Sequence, residues 1–159
     1  MTNLPPHNLS IALVCPQIAP NTGNIARLCV ATGTELHLVR PLGFLLSDRQ
    51  LKRSAMDYWA RLKLTVHDDV ESFLTVAANR RVWLCENGSD RSVWDADFRD
   101  YDLLVLGNEG AGLPPVIRER FADRLIGIPQ APGERCLNLS TAAGIALAEA
   151  LRQVTALIK

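Results

Sequence analysis

The 159-residue sequence has no C-x-x-C pair and no closely spaced histidines. Cys15, Cys29, Cys85 and Cys136 are scattered through apolar surroundings, and His7, His37 and His67 lie equally far apart. Such spacing offers no zinc-ligand pattern, so no metal is expected. The four cysteines read as reduced thiols of a core or of a site wall. An excess of either charge is also missing, with 17 Lys+Arg against 17 Asp+Glu. Steering of nucleic acid by a global field is thereby excluded, and any such partner has to be met by a local patch. Long apolar runs are lacking too. The longest, Ala142 to Ala148, is far too short to span a bilayer. Residues Met1 to Asn8 are polar, carry two prolines and hold no apolar signal core. A cytoplasmic protein without a membrane partner is expected. No repeat, charge block or low-complexity run divides the chain, so residues 1–159 are expected to form one domain.

What is present is globular. Hydrophobic residues make 48% of the chain and charged residues 21%, enough to bury a core at this length. Five apolar segments read as strands: Leu9–Cys15, Glu35–Arg40, Arg81–Cys85, Asp102–Leu106 and Arg124–Ile128. Helical spacing lies between them. Ile25, Leu28 and Cys29 share one face ahead of a C-cap at Gly33. Ser47 is placed to cap a helix carrying Leu51 and Ala55, and Val70, Phe73, Leu74 and Ala77 make the next stripe. Pro115 starts a short helix through Phe121, and a last helix runs from about Ser140 to Leu157. Alternating strands and helices of these lengths predict an α/β fold with a mostly parallel sheet and helices on both faces. Leu103 to Leu106 is apolar without alternation, as a central strand covered on both faces should be. Ligands of such sheets bind beyond the carboxyl ends of the strands, which directs attention to three loops.

The first loop, Pro20 to Arg27, brings small polar groups to a helix N-terminus, with Asn21 or Thr22 as candidate caps and Arg27 about a turn inside. The second, Gly107-Asn108-Glu109-Gly110-Ala111-Gly112, has three glycines in six residues, which allows close backbone approach to a ligand. It lacks the Lys-Ser/Thr of a P-loop and does not match G-x-G-x-x-G. Glu109 would repel a phosphate, so a cationic or hydrogen-bond-donating ligand suits this loop better. The third runs from Ile126-Gly127-Ile128-Pro129 to Cys136-Leu137-Asn138-Leu139-Ser140, where Asn138 or Ser140 caps the final helix.

In combination these motifs resemble the SpoU branch of the SPOUT methyltransferases, which transfer methyl from S-adenosylmethionine to a ribose 2′-hydroxyl of RNA. Within that branch the chain is most similar to the tRNA wobble-position cytidine/uridine 2′-O-methyltransferases. The segments Pro20 to Cys29, Pro41-Leu42-Gly43-Phe44, Leu51-Lys52-Arg53 and Asp57-Tyr58 carry the resemblance, which extends over about residues 9 to 153. It implies a C-terminal trefoil knot, which fold rules alone would not suggest. It also implies a homodimer with each active site at the interface, and no separate RNA-binding extension. The small residues of the last helix suit close helix packing, either across that interface or on the chain's own sheet. The resemblance further implies that the cofactor lies against the backbone of Cys85, Gly107, Glu109, Gly110, Ile128, Cys136 and Leu137. Asn21, Arg27, Glu109 and Asn138 match residues used around the reacting groups. The expected substrate is the anticodon stem-loop of tRNA at cytidine or modified uridine 34. Another tRNA or rRNA position, and a non-catalytic RNA-binding module, are the alternatives. Ala111 and Cys136 depart from the family pattern, which commonly has a larger basic residue and a serine there.

A ribose hydroxyl is a poor nucleophile, so alignment with the methyl donor supplies much of the rate. Arg27 is the candidate to activate it, although guanidinium is normally never deprotonated. Either a relay through neighbouring phosphate geometry removes the proton, or Arg27 only polarises and positions the hydroxyl. Asn21 and Asn138 are expected to position. For RNA contact, Ser47 to Lys63 holds five basic residues, Arg49, Lys52, Arg53, Arg61 and Lys63, against Asp48 and Asp57. Arg49, Lys52 and Arg53 fall on one helix face. Tyr58 and Trp59 offer rings that could stack on a flipped-out base, or else serve as core aromatics beside a solvated basic face.

Overall fold

A computed structural model describes residues 3–47, 49, 51, 53 and 56–156. Six strands form one sheet: β1 (Ser10–Val14), β2 (Glu35–Val39), β3 (Leu64–His67), β4 (Val82–Cys85), β5 (Leu103–Leu106) and β6 (Leu125–Ile126). Their order is β3-β2-β1-β5-β4-β6, and every pairing is parallel. Ile11 stands beside Leu36 on one side and Leu104 on the other, which fixes the register of the centre.

Both faces of this sheet are covered, so its strands are apolar at successive positions. Ile11, Leu13, Leu36, Leu38, Leu104 and Leu106 point to one face. There they meet Ile25, Ala26 and Cys29 of α1 (Ala19–Thr32) and Ala143, Ala146, Leu147 and Ala150 of the last helix (Leu139–Ala156). Ala12, Val14, Val39, Leu84, Leu103 and Val105 point to the other face. They pack on Phe73 and Ala77 of α2 (Val70–Ala77) and on Ile117 of α3 (Pro115–Arg120). The last helix is accordingly α4. Each large side chain removed from water in this way contributes about 2 kcal/mol.

Local sequence sets the helix ends. Asp69 and Ser72 cap α2 reciprocally, side chain to backbone in both directions, and those bonds hold the Asp69 carboxyl below its ordinary range. Gly33 ends α1 at φ 77, its N–H returning to Cys29 and Val30. The small residues of α4 divide between two sides. Ala143, Ala146 and Ala150 are buried within the chain's own fold, while Ala148 is exposed.

The structure departs from three expectations. Strand β3 was not expected: Thr65 and His67 break its apolar pattern, and as an edge strand it has only one paired neighbour. The segment Pro20 to Arg27 is no loop, because Pro20 already sits in the first turn of α1. Asn21 and Thr22 are therefore helix residues and cap nothing. Expected as Arg124–Ile128, β6 shortens to Leu125–Ile126, because the chain turns away at Gly127 to bridge Ser92. The helix expected from Ser47 is only partly described. Arg49, Leu51 and Arg53 are helical, Lys52 and Ala55 lie outside the described residues, and a 3₁₀ segment, Met56–Arg61, follows. Among the described residues, no helix is long and apolar enough to cross a membrane.

Candidate active site

Parallel strands end on one side of the sheet, and the segments leaving β1, β4, β5 and β6 enclose a cavity of about 600 Å³ there. Cys85, Gly107, Glu109, Gly110, Ile128, Cys136 and Leu137, all expected to hold a cofactor, line this one cavity. Asn21 and Asn138 line it as well. Arg27 does not. It lies six positions beyond Asn21 on an exposed face of α1, with its guanidinium carbon 5.2 Å from the centre of the Tyr58 ring. Arg61 stands over the same ring at 4.9 Å. Arg49 and Arg53 are exposed, Tyr58 is half-buried, and Lys52 lies outside the described residues.

A chain of hydrogen bonds ties the three motifs together. The α1 N-cap, Ile18, has no side chain able to cap, so the N-terminus needs a partner from elsewhere. Glu109 is that partner. Its carboxylate accepts from Gln17 N at 2.8 Å, Ile18 N at 3.1 Å and Asn21 Nδ2 at 3.3 Å. A negative group is favoured at this end of a helix. The hydrogen-bond donors expected for Glu109 thus come from the protein itself. Asn138 Nδ2 donates to Asn21 Oδ1 at 2.9 Å. Asn138 Oδ1 accepts from Ser140 N at 2.9 Å and Ser140 Oγ at 2.7 Å, so the same residue caps α4.

The glycine loop is braced from within. Asn108 and Gly112 exchange both backbone hydrogen bonds, and Asn108 Oδ1 accepts from Gly110 N and Ala111 N. A Cβ on Gly107 would stand 2.3 Å from the Gly112 carbonyl carbon. The loop's own closure already requires glycine at 107. Gly43 is fixed in the same way, since a Cβ there would meet Gln17 Cα at 2.6 Å. The Pro41-to-Phe44 segment thereby packs against the entry to α1.

Burial shapes the titrating groups of the wall. It pushes the Cys85 thiol up to about 12 and raises Cys15, so neither is a thiolate at neutral pH. Cys136 is exposed at the cavity, 3.3 Å from Asn87 Nδ2. Sequence reasoning missed Glu86. Its buried Oε2 forms an ion pair with Arg118, 3.0 Å from Nε, and the residue lines the cavity. Its position just after β4, at the carboxyl end of a strand, was the available signal.

The profile of the SpoU rRNA methylase family matches residues 8–148. The tRNA (cytidine(34)-2′-O)-methyltransferase of Methylovorus glucosotrophus is 46% identical over 145 residues, covering 90% of this chain and 94% of the relative. A solved structure described as giving insight into 2-OH methylation of C/U34 on tRNA superposes with a TM-score of 0.89 at 42% identity. It covers 94% of this chain and 97% of that one. The SpoU methyltransferase AviRb of Streptomyces viridochromogenes, solved with AdoMet, gives a TM-score of 0.81 at 28% identity over 94% of this chain and 60% of its own. Motifs, sheet order and a profile match over nearly the whole length agree: the chain belongs to the SpoU rRNA methylase family.

Proposed function

We propose that this protein methylates the ribose 2′-hydroxyl of the wobble nucleotide, cytidine or modified uridine 34, in tRNA, with S-adenosylmethionine as donor. One observation carries the reading. The seven residues expected at the cofactor line a single cavity whose wall also bears the Asn21–Glu109–Asn138 network. The names of the relatives support the same substrate.

The residues present fit such a cofactor. The cavity is in the size range of nucleotide-like ligands, and its wall bears the Glu86 and Glu109 carboxylates, which suit a cationic sulfonium ligand. The backbone of Cys85, Gly107 to Gly110, Ile128, Cys136 and Leu137 would hold it. When bound, it supplies an electrophilic methyl on a sulfonium. The chain's own contribution is alignment and polarisation: Asn21 and Asn138 fix the wall, and Arg27 polarises the incoming hydroxyl.

Because Arg27 lies outside its own chain's cavity, we assign it to the cavity of a second copy in a homodimer. Arg49 and Arg53, with Lys52 between them in the sequence, are assigned to the anticodon stem-loop, beside Tyr58. The reading places the protein in the cytoplasm, as a single domain whose C-terminal segment is threaded as a trefoil knot. The passage of the chain from β6 back along residues 86–92 supports that threading.

A second reading, methylation at another tRNA or rRNA position, is favoured by the small, exposed Ala111 on the glycine loop. Transfer of labelled methyl to total tRNA and to rRNA, followed by nuclease digestion, decides between them. Label at nucleotide 34 is the expected result. Label elsewhere supports the second reading, and no label in any RNA overturns both.

A further inference from the structure

We propose that Tyr58 is a positioning residue for methyl transfer: its ring face holds the Arg27 guanidinium in place, and it is not a platform for a substrate base. The inference rests on the reading of Arg27 as an active-site residue.

Arginine on an exposed helix face has many rotamers, and a hydroxyl aligned for attack needs one of them. The Tyr58 ring is the group that selects it. The Arg27 guanidinium carbon lies 5.2 Å from the ring centre, within the range of a cation–π contact. The segment that carries Tyr58 packs against α1, and the next residue, Trp59, is half-buried against the core. The ring is therefore tied to the fold on one side and to Arg27 on the other.

The same ring also carries Arg61 at 4.9 Å, which in turn lies 3.8 Å from the Asp57 carboxylate. Two guanidinium groups on one ring repel each other; Asp57 offsets part of that repulsion, and a further anion would relieve the rest. A phosphate of the RNA backbone has the charge and the acceptor geometry for this. With both cations already on it, the ring is poorly placed to accept a stacked base. Its effect on catalysis runs through the geometry of Arg27.

Steady-state kinetics with tRNA test this on the intact enzyme, with S-adenosylmethionine affinity and tRNA gel shifts measured in parallel. Tyr58→Ala is expected to lower kcat at saturating tRNA tenfold or more, with cofactor affinity unchanged and KM for tRNA moved less than kcat. Tyr58→Phe, which keeps the ring, restores kcat to within about threefold. Adding Tyr58→Ala to Arg27→Ala brings no further loss. Where Tyr58→Ala does not fold, Tyr58→Leu against Tyr58→Phe gives the same comparison. A Tyr58→Ala enzyme with raised KM and intact kcat overturns the proposal in favour of base stacking. Failure of Tyr58→Phe to rescue overturns it in favour of the hydroxyl. A wild-type enzyme that methylates no RNA removes the functional reading, and this inference with it.

Discussion

The Asn138 side-chain amide donates to Asn21 Oδ1 over 2.9 Å, so residues 117 positions apart share a hydrogen bond on the cavity wall. Asn21 passes the connection on to Glu109, and Glu109 to the backbone entering α1. Asn138→Ala is expected to lower stability by about 1 kcal/mol through the lost α4 cap. It and Asn21→Ala should each slow methyl transfer roughly tenfold or more, because the wall loses its register. If the two act as one unit, the double variant is no slower than the worse single one. Initial rates for the four proteins settle the matter, and simply multiplying losses would count against a shared network.

Cys136 offers a test of the cavity that needs no RNA. It is the exposed thiol of the wall, whereas burial holds Cys29 and Cys85 at about 12 and keeps them unreactive. Iodoacetamide at mildly alkaline pH should modify Cys136 first. Saturating S-adenosylmethionine or its demethylated product should slow that modification several-fold, read by mass spectrometry of peptides. Equal labelling with and without the cofactor would place its binding elsewhere.

At the opposite end of β5, Asp102 is fully buried and holds three donors: Arg81 Nε at 2.9 Å, Trp83 Nε1 at 2.8 Å and Arg99 N at 2.9 Å. Asp102→Ala strands all three and is expected to cost about 3 kcal/mol in urea unfolding. Cofactor affinity should stay unchanged at temperatures where the variant is folded. A loss below about 1 kcal/mol would mean that water replaces the carboxylate freely.

His37 Nδ1 and His67 Nε2 lie 3.0 Å apart between β2 and β3, with the Phe73 ring edge against His67. Burial pushes His37 down from 6.5 to about 4 and lowers His67 as well. The Arg80 charge acts on His37 in the same direction, and the Glu35 carboxylate opposes it. Between these limits the unfolded chain takes up protons that the folded one refuses. The pair's contribution to stability is therefore complete above pH 6.5 and is lost as pH falls from 6.5 to about 4. Urea midpoints measured across that window should fall, and His37→Gln should flatten the decline. An identical slope in the variant would locate the acid sensitivity in other groups.

Legibility in the sequence varied with how local the cause was. Strand β5 could be read directly from Leu103 to Leu106, because burial on both faces leaves an unbroken apolar run. Gly33 marked a helix end through its freedom to take positive φ, and Pro115 a helix start through its fixed φ. Strand β3 could not be read, since Thr65 is held by Glu35 and His67 by His37, partners thirty residues away. The cavity shows the same division. Its glycine loop stood out, but the reason for Gly107 lies in Gly112, and the donors to Glu109 come from Gln17 and Ile18. Cys85, Ile128 and Cys136 look unsuited to binding as side chains. Family resemblance alone points to them, and the structure puts all three on the cavity wall.

Parallel strands also give the sheet two unlike edges. Asp102 and Gly107 bracket β5, so roughly 15 Å of strand separates the interlocked carboxylate from the hydrogen-bonded wall of the cavity. Drift at one edge reaches the other only through the stiff strands between them. Replacements that raise the melting temperature can therefore accumulate around Asp102 while the opposite rim changes which RNA it accepts. Durability and selectivity are free to evolve at separate addresses on one sheet.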